Sequence, residues 1–254
     1  MNIVTEISAW RAIRKQLAGK TIGMVHTMGN LHAGHMSLYQ RSKSENDVTV
    51  AAIFVNPKQF NQARDFELYP RTLEQDKALL QAHAVDYLLL FDEKSLYPDE
   101  YQLQVSETEI SKVLEGEFRP GHFTGMLTIV LKFLNLVQPA RSYYGEKDYQ
   151  QLLLIKKMAD ALFLPMEIVG CATVRAEDEV ALSSRNNRLA PEQREKAAHF
   201  PRLLRSAAEP EEIRQQLTAL GFRVEYIIDL WQRRLGAVWL DDVRLIDNIP
   251  LMRV

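Results

Sequence analysis

Short apolar runs alternate with amphipathic stretches along the chain up to residue 174. Five runs bounded by turn residues predict buried β-strands, at 21–25, 48–55, 85–91, 141–144 and 166–174. Between them, apolar residues recur at spacings of three and four, which predicts helices at 36–44, 73–84, 126–137 and 149–162. This alternation predicts a parallel α/β sheet. Ligands of such sheets bind at the carboxyl ends of the strands, so we expect functional residues directly after strands.

The pattern changes after residue 189. The stretch 191–205 is charged and periodic, which predicts a helix, and a second short helix is expected at 211–220. The stretches 223–230 and 236–246 alternate apolar and polar residues, as strands of an antiparallel sheet do. We therefore expect two domains, a parallel α/β domain over residues 1–186 and a small α+β domain over residues 187–254.

Composition excludes several classes of function. The 254 residues are 46% hydrophobic and 25% charged, as in an ordinary globular protein. With 31 basic and 33 acidic residues the net charge is -2, so the chain offers no general positive field to a nucleic acid. No apolar run approaches the ~20 residues that cross a bilayer, and the N-terminus lacks the features of a secretory signal. We therefore expect a cytoplasmic protein with no nucleic-acid or membrane partner.

Two histidines follow the first predicted strand. His32 and His35 lie three residues apart with Gly34 between them, at the junction of a strand and a helix. On the first helical turn both rings face one side, where backbone N–H groups and the helix dipole favour an anion such as a triphosphate. The glycines Gly29 and Gly34 allow close approach of the backbone. The alternative is that the two histidines only cap a helix. A zinc site would need further ligands, and no Cys or His cluster in the sequence supplies them.

Two amide residues follow the second predicted strand. Asn56 and Gln59 could hydrogen-bond a hydroxyl or a carboxylate, but amides at a turn also brace the backbone, and both interpretations remain open. Thr72 has the sequence context of a helix N-cap, with Gln75 as its capping-box partner. This leaves Tyr69, just before it, unexplained.

Two further polar segments follow the last predicted strands of the parallel sheet. Lys147 begins a helix, where a cation is unfavourable unless an anion binds to it. Asp148 could take a ribose hydroxyl or a metal-bound water. Ser183, Ser184 and Arg185 could clamp phosphates. Each segment alone could be a solvated loop, but their positions after strands favour a common ligand.

Together, the strand, the His-x-Gly-His motif and the later serine and arginine loop resemble the nucleotidyltransferase superfamily that includes the class I aminoacyl-tRNA synthetases. The fuller resemblance is to the pantoate–β-alanine ligase (pantothenate synthetase) family. Seven segments resemble that family's motifs in order, at 27–35, 54–60, 69–72, 119–123, 145–151, 182–186 and 244–248. The resemblance implies a Rossmann-like nucleotidyltransferase domain followed by a small C-terminal α+β lid domain.

The resemblance also implies a reaction in two steps. Pantoate and Mg-ATP form pantoyl adenylate and pyrophosphate, and β-alanine then attacks to give pantothenate and AMP. It implies ATP as a substrate, Mg2+ as a cofactor, small molecules as partners and a homodimer. The resemblance gives His35 the role of an acid. Because magnesium pyrophosphate is a good leaving group and hardly needs a proton, we expect the main role of His35 to be charge stabilisation.

The same resemblance implies which residues form the site. Those that line the ATP site are Met28, Gly29, Asn30, Leu31, His32, Ala33, Gly34, His35, Gly145, Glu146, Lys147, Asp148, Val174, Leu182, Ser183, Ser184 and Arg185. The catalytic residues among them are His35, His32, Lys147 and Arg185. Those that bind pantoate and β-alanine are Gln59, Gln151, Asn56 and Tyr69. No metal ligand is assigned, and the segment 177–185 is the candidate lid.

The chain departs from the family pattern at three places. His26 stands where the family usually has proline, and Glu179-Val180 replaces a usual Gly-Leu pair. The C-terminal region is expected to be shorter than usual. These differences bear on lid closure and on dimerisation.

Two other functions remain as alternatives. A nucleotidyltransferase that acts on a phosphorylated alcohol would share both histidines, but it leaves Gln59 and Gln151 unexplained. A catalytically silent nucleotide-binding regulator would leave the set of His35, Lys147 and Arg185 unexplained.

Overall fold

Six strands form one parallel sheet in the computed structural model, which describes residues 1–61 and 63–251. The strands are β1 (Asn2–Val4), β2 (Ile22–Thr27), β3 (Val48–Ile53), β4 (Tyr87–Leu89), β5 (Arg141–Gly145) and β6 (Glu167–Cys171). Their order across the sheet is β1-β4-β3-β2-β5-β6, and neighbouring strands pair in parallel. The predicted parallel α/β fold is therefore confirmed.

Helices connect these strands. They are α1 (Ile7–Gln16), α2 (Ala33–Glu45), α3 (Ala63–Glu67), α4 (Leu73–Ala82), α5 (Glu93–Leu96), α6 (Glu115–Phe118), α7 (His122–Val137) and α8 (Tyr149–Ala161). Short 3-10 helices lie at Pro57–Gln59, Ile110–Lys112, Glu146–Asp148 and Asn186–Arg188. The core beside the sheet includes Val25, Tyr39, Ala51, Leu88 and Tyr143, all fully buried.

The chain direction across the sheet reverses at β2. From β2 the chain continues through β3 and β4 on one side, whereas β5 and β6 lie on the other side. β2 therefore has β3 and β5 as its two neighbours. Ligands of open α/β sheets bind beyond the carboxyl ends of strands at such a reversal. The chain leaves β2 into the His32 motif and β5 into the Lys147 segment, which places both motifs after the strands where a ligand is expected.

Several elements differ from their predicted bounds. β1 and α1 were not predicted. The three-residue strand carries little periodic signal, whereas α1 was missed although Ile7, Trp10 and Ile13 recur at a spacing of three. β2 continues to Thr27, two residues beyond the predicted end, so His26 lies inside the strand. β3, β4 and β6 end before the apolar runs do, because sheet pairing stops at Ile53, Leu89 and Cys171.

The C-terminal part contains α9 (Pro191–Ala197), α10 (His199–Leu204), α11 (Pro210–Ala219), β7 (Arg223–Leu230), β8 (Arg233–Leu240) and β9 (Val243–Pro250). The three strands form an antiparallel sheet in the order β7-β8-β9. The stretch 236–246, predicted as strand, belongs to two strands that meet at a turn, where Asp241 adopts φ 52°. Residues such as Phe200, Ile213, Leu217 and Val238 form the core of this part.

The chain forms two compact units. The first comprises Met1–Leu31, His35–Gly145 and Gln150–Cys171, and the second comprises His32–Gly34, Glu146–Tyr149 and the chain from Ala172 onward. The division into domains at residues 186 and 187 stays a prediction. Within the described ranges, no helix has the length and apolar character needed to span a membrane.

Candidate active site

The loop after β2 is folded around a buried carboxylate in the first unit. Asp76, on α4, is 2% exposed and accepts hydrogen bonds from the backbone N–H groups of Asn30 at 3.0 Å and Leu31 at 2.8 Å. Gly29 adopts φ 81°, and a Cβ there would lie 3.0 Å from Asp76 Oδ2. The positive φ and the close carboxylate both favour glycine at this position. Asp76 therefore determines the shape of the loop that leads to the histidines.

Asp76 was not predicted, and the capping box of Thr72 was predicted wrongly. Thr72 makes no side-chain cap and donates its hydroxyl to Asp76 Oδ1 at 3.2 Å. A carboxylate four residues into an amphipathic helix looks like any solvated acid in sequence. Its burial is a property of the tertiary structure.

His32 is a neutral ring with a defined tautomer in the second unit. Its Nδ1 accepts a hydrogen bond from the Gly34 N–H at 3.2 Å, so the proton of the neutral ring lies on Nε2. The pKa of His32 is lowered to about 4, mainly by burial and also by the positive charge of Lys147, while the charge of Asp148 opposes both. The ring can therefore donate from Nε2 without carrying charge at pH 7. A Cβ on Gly34 would lie 2.9 Å from this ring and 3.7 Å from Leu182 Cβ.

Lys147 lies in the 3-10 helix that precedes α8, also in the second unit. Its Nζ is 3.8 Å from Asp148 Oδ1, and the lysine side chain is 17% exposed. The carboxamide of Asn248 donates to the carbonyl oxygens of Glu146 and Lys147, both at 2.9 Å. The segment is therefore held through its backbone, and Lys147 forms a long ion pair with its acidic neighbour.

The segment 174–186 forms a narrow hairpin followed by a polar turn in the second unit. Leu182 N–H donates to the Val174 carbonyl at 3.0 Å, and Arg175 bridges to Ala181. Ser183 Oγ accepts from the Arg185 N–H at 3.2 Å. Ser183, Ser184 and Arg185 are half-buried. The structure thus brings His32, Gly34, Lys147, Asp148 and this hairpin into one compact unit.

The amide residues after β3 belong to the first unit, where Asn56 is a brace. Asn56 is fully buried, and its Nδ2 donates to Gln59 Oε1 and to the Gly125 carbonyl, both at 3.1 Å. Its Oδ1 accepts from Tyr97 Oη at 2.9 Å. This network uses the oxygen of the Gln59 carboxamide. Within the described part of the chain, no hydrogen bond occupies Gln59 Nε2.

The two neighbouring glutamines of α8 differ in role. Gln150 is 3% exposed, accepts from the Glu115 N–H at 3.1 Å and donates to the carbonyls of Ile110 and Val113. Gln151 is half-buried, and no side-chain hydrogen bond to another described residue engages it. Gln150 is therefore structural, whereas ligand binding by Gln151 stays a prediction.

Two residues of interest pack among aromatic rings in the first unit. Tyr69 is 8% exposed, and its ring lies 5.6 Å from that of Phe60, edge to face. His26 lies 4.6 Å from the Phe133 ring, and burial lowers its pKa to about 4. Its Nε2 is buried without a hydrogen bond in the described ranges. His35 is half-buried at the start of α2.

Acidic side chains do not form a metal centre in the described ranges. No group of three or more His, Cys, Asp or Glu residues there could hold a metal ion. A divalent ion that keeps most of its waters and binds phosphate oxygens needs one protein carboxylate or none. The half-exposed Asp148 beside Lys147 suits that limited role.

Comparison with known proteins places this geometry in a family. The model of the family described as pantoate-beta-alanine ligase matches residues 2–250. The pantothenate synthetase of Coxiella burnetii (strain Dugway 5J108-111) is 48% identical over 99% of this chain and 97% of its own length. That of Legionella pneumophila (strain Corby) is also 48% identical, over 99% of this chain and 100% of its own length. The chain covers these two relatives almost completely, and a C-terminal region shorter than is usual in the family stays a prediction.

A solved structure extends the similarity to the fold. It is the crystal structure of the pantoate-beta-alanine ligase from Francisella tularensis, complexed with beta-gamma ATP and beta-alanine. It superposes on this chain with a TM-score of 0.94 at 42% identity, over 98% of this chain and 97% of that one. The predicted family resemblance is confirmed.

Proposed function

This chain belongs to the pantoate–β-alanine ligase family, and from that premise we propose how its residues carry out the ligase reaction. The enzyme condenses pantoate with β-alanine to pantothenate in a reaction that consumes ATP. In the first step a pantoate carboxylate oxygen attacks the α-phosphorus of ATP, and the bond to pyrophosphate breaks. In the second step the amine of β-alanine attacks the acyl carbon, loses a proton, and AMP leaves.

Charge stabilisation by His32 and Lys147 carries the first step. The observation that supports this assignment is the neutral His32 ring, whose proton lies on Nε2 and which is close enough to the Lys147 cation for that charge to lower its pKa. Together they offer a hydrogen bond and a positive charge to the phosphate oxygens on which negative charge grows as pyrophosphate leaves. His35 and Arg185 complete this set, as the family motifs imply. The remaining ATP-site residues, at positions 28–35, 145–148, 174 and 182–185, bind the nucleotide.

The acid binds through carboxamides. Gln59 and Gln151 hold pantoate, and Gln59 also faces β-alanine. The Asn56 network supports this role, because it fixes the oxygen of Gln59 and leaves Nε2 to donate to a carboxylate or hydroxyl. Asn56 therefore orients Gln59, and Tyr69 shapes the pocket by packing. Both steps depend on alignment of the reacting groups, and no covalent bond to the enzyme forms.

Magnesium enters with the nucleotide. The described residues fit a Mg2+ ion that is held by phosphate oxygens and water, with Asp148 as the carboxylate at hand. When bound, the ion neutralises phosphate charge. We further propose that the segment 177–185 closes over the nucleotide as a lid, that residues 187–254 form a lid domain, and that the protein is a cytoplasmic homodimer, as the family resemblance implies.

A stepwise assay tests the function. We expect the protein to release pyrophosphate from ATP only when pantoate is present, and to form pantothenate only when β-alanine is added. Pyrophosphate release that ignores pantoate but responds to a phosphorylated alcohol would replace this function with another nucleotidyl transfer. ATP binding without any turnover would identify a silent regulator.

A further inference from the structure

The last strand of the second unit carries two adjacent buried polar residues. Asp247 is 4% exposed and Asn248 is 3% exposed, in the middle of β9. Buried polar groups are costly unless they form hydrogen bonds, so their partners indicate what the site needs them for. Successive residues of a strand point to opposite faces, so the two side chains reach different partners. The partners of Asn248 are in the Lys147 segment, which is assigned to ATP, and the partner of Asp247 is Arg175, next to Val174, which is also assigned to ATP.

The Asn248 side chain binds the backbone of the Lys147 segment. Its Nδ2 donates to the carbonyls of Glu146 and Lys147, both at 2.9 Å. Its Oδ1 is buried and has no hydrogen bond in the described part of the chain. Only the donor half of the carboxamide is therefore used, which explains why asparagine serves here and aspartate would not. An aspartate oxygen at the same place would face two carbonyl oxygens.

Arg233, on β8, grips the same segment through side chains. Its Nη1 donates to Glu146 Oε2 at 3.0 Å, and its guanidinium lies 4.5 Å from the centroid of the Tyr149 ring. Lys147 lies between these two anchored residues. The position of its backbone is thus determined by groups on β8 and β9, more than 80 residues later in the chain.

Asp247 grips the hairpin that leads to Arg185. Arg175 donates to both oxygens of Asp247, from Nη1 at 2.6 Å and from Nη2 at 2.8 Å. Arg175 Nη1 also donates to the Glu179 carbonyl at 3.0 Å, across the hairpin. A bidentate pair of this kind restrains orientation as well as distance. The backbone N–H of Asn248 donates to Asp247 Oδ1 at 2.8 Å, which joins the two grips.

We propose that Asp247 and Asn248 are positioning residues for adenylate formation. By binding the Lys147 segment and the 174–182 hairpin from adjacent positions of β9, they fix the position of each segment relative to the other. The inference rests on the proposed function, because that function places Lys147 on the phosphates. A purely structural role for the pair would lower stability without any specific link to Lys147. An energetic coupling between these residues and Lys147 therefore distinguishes a positioning role from a purely structural one.

The test is a double-mutant cycle between Asn248→Asp and Lys147→Ala. In the otherwise unchanged protein, Asn248→Asp should lower kcat/KM for ATP about 100-fold, as a misplacement of about 1 Å does, and leave the KM for β-alanine unchanged. In the Lys147→Ala background the same substitution should lower it less than about 3-fold, because the group it positions is already gone. Equal losses in both backgrounds, or normal kinetics with a lowered Tm, would overturn the proposal.

A matched control lies in the same sheet. Asp229, on β7, forms a bidentate pair with Arg234, which neighbours Arg233 and is 7% exposed. Asp229→Asn should lower the Tm and leave the KM for ATP unchanged.

Should Asn248→Asp fail to fold, Arg233→Lys takes its place, with an expected loss of about 10-fold in kcat/KM for ATP. A wild-type protein without pantoate-dependent pyrophosphate release refutes the proposed function itself, whereas normal release with unaffected variants refutes only the positioning role.

Discussion

At the scale of single residues, burial keeps both His26, inside β2, and His32, just after it, neutral. His26 is neutral because it is enclosed beside Phe133. His32 is neutral because burial and the nearby Lys147 cation both oppose protonation. His26 Nε2 forms no hydrogen bond in the described ranges, whereas His32 Nδ1 accepts one from the Gly34 N–H, which orients the ring.

The buried state of His26 predicts a pH dependence of stability. Its pKa is about 4 in the folded protein and near 6.5 when unfolded, so the unfolded chain binds more protons between these values. The free energy of unfolding should therefore fall as the pH drops from 6.5 towards 4, by about 3 kcal/mol from this residue. Urea unfolding across that range measures it. His26→Phe should flatten the slope, and an unchanged slope in this variant would contradict the assignment.

Glu179 carries backbone strain that glycine would relieve. It adopts φ 73°, in the left-handed region, where the family usually has glycine, and it forms an ion pair with Arg205. Glu179→Gly removes both the strain and the pair, and Glu179→Ala removes only the pair. We expect the glycine variant to be about 1 kcal/mol more stable than the alanine variant in chemical unfolding. Equal stabilities would show that the turn is not strained.

His35 is expected to act on the transition state. Its replacement by alanine should slow adenylate formation by about 2.7 to 4 kcal/mol, as the loss of one donor to a developing charge does. Pre-steady-state measurement of pyrophosphate release tests this directly. A normal rate in His35→Ala would remove the residue from the mechanism.

At the scale of elements, periodicity predicted the central strands well because β2 and β3 are buried at almost every position. The motifs at their ends could be found for the same reason, since a polar residue after an apolar run is conspicuous. Asp76, Arg233 and Asn248 could not be assigned roles in this way. Each lies in an amphipathic helix or an alternating strand, where a polar residue is expected on the solvent side, and only the tertiary structure buries it.

Asp76 links α4 to the loop after β2, and its loss should affect both stability and ATP binding. Asp76→Ala leaves the N–H groups of Asn30 and Leu31 without their acceptors, which should cost about 3 to 5 kcal/mol of folding free energy. Asp76→Asn keeps one acceptor oxygen and should lose about half as much. Thermal unfolding and the KM for ATP measure the two effects. Wild-type values for both variants would contradict the role given to this carboxylate.

At the scale of the whole molecule, the proposed phosphate-binding residues His32 and Lys147 fall in the second compact unit, whereas His35 and the proposed pantoate-binding Gln59 fall in the first. Separate ligands can test the proposed roles of Lys147 and Gln59. ATP at 100 times its Kd should raise the free energy of unfolding by about 2.7 kcal/mol. Lys147→Ala should lose most of this increment, and Gln59→Ala should retain it while losing the response to pantoate. Loss of the ATP response in Gln59→Ala would contradict this separation.

Under the proposed positioning role, the hydrogen bonds from β9 to Glu146, Lys147 and Arg175 make activity depend on the presence of β9. A product that stops at the turn between β8 and β9, through a premature stop codon or a protease cut, would still contain every residue assigned to ATP and pantoate. It would lack the donor and the carboxylate that align them. Fragments that lack β9 would therefore keep these residues and yet be inactive, so a single cleavage before β9 would be enough to stop the reaction.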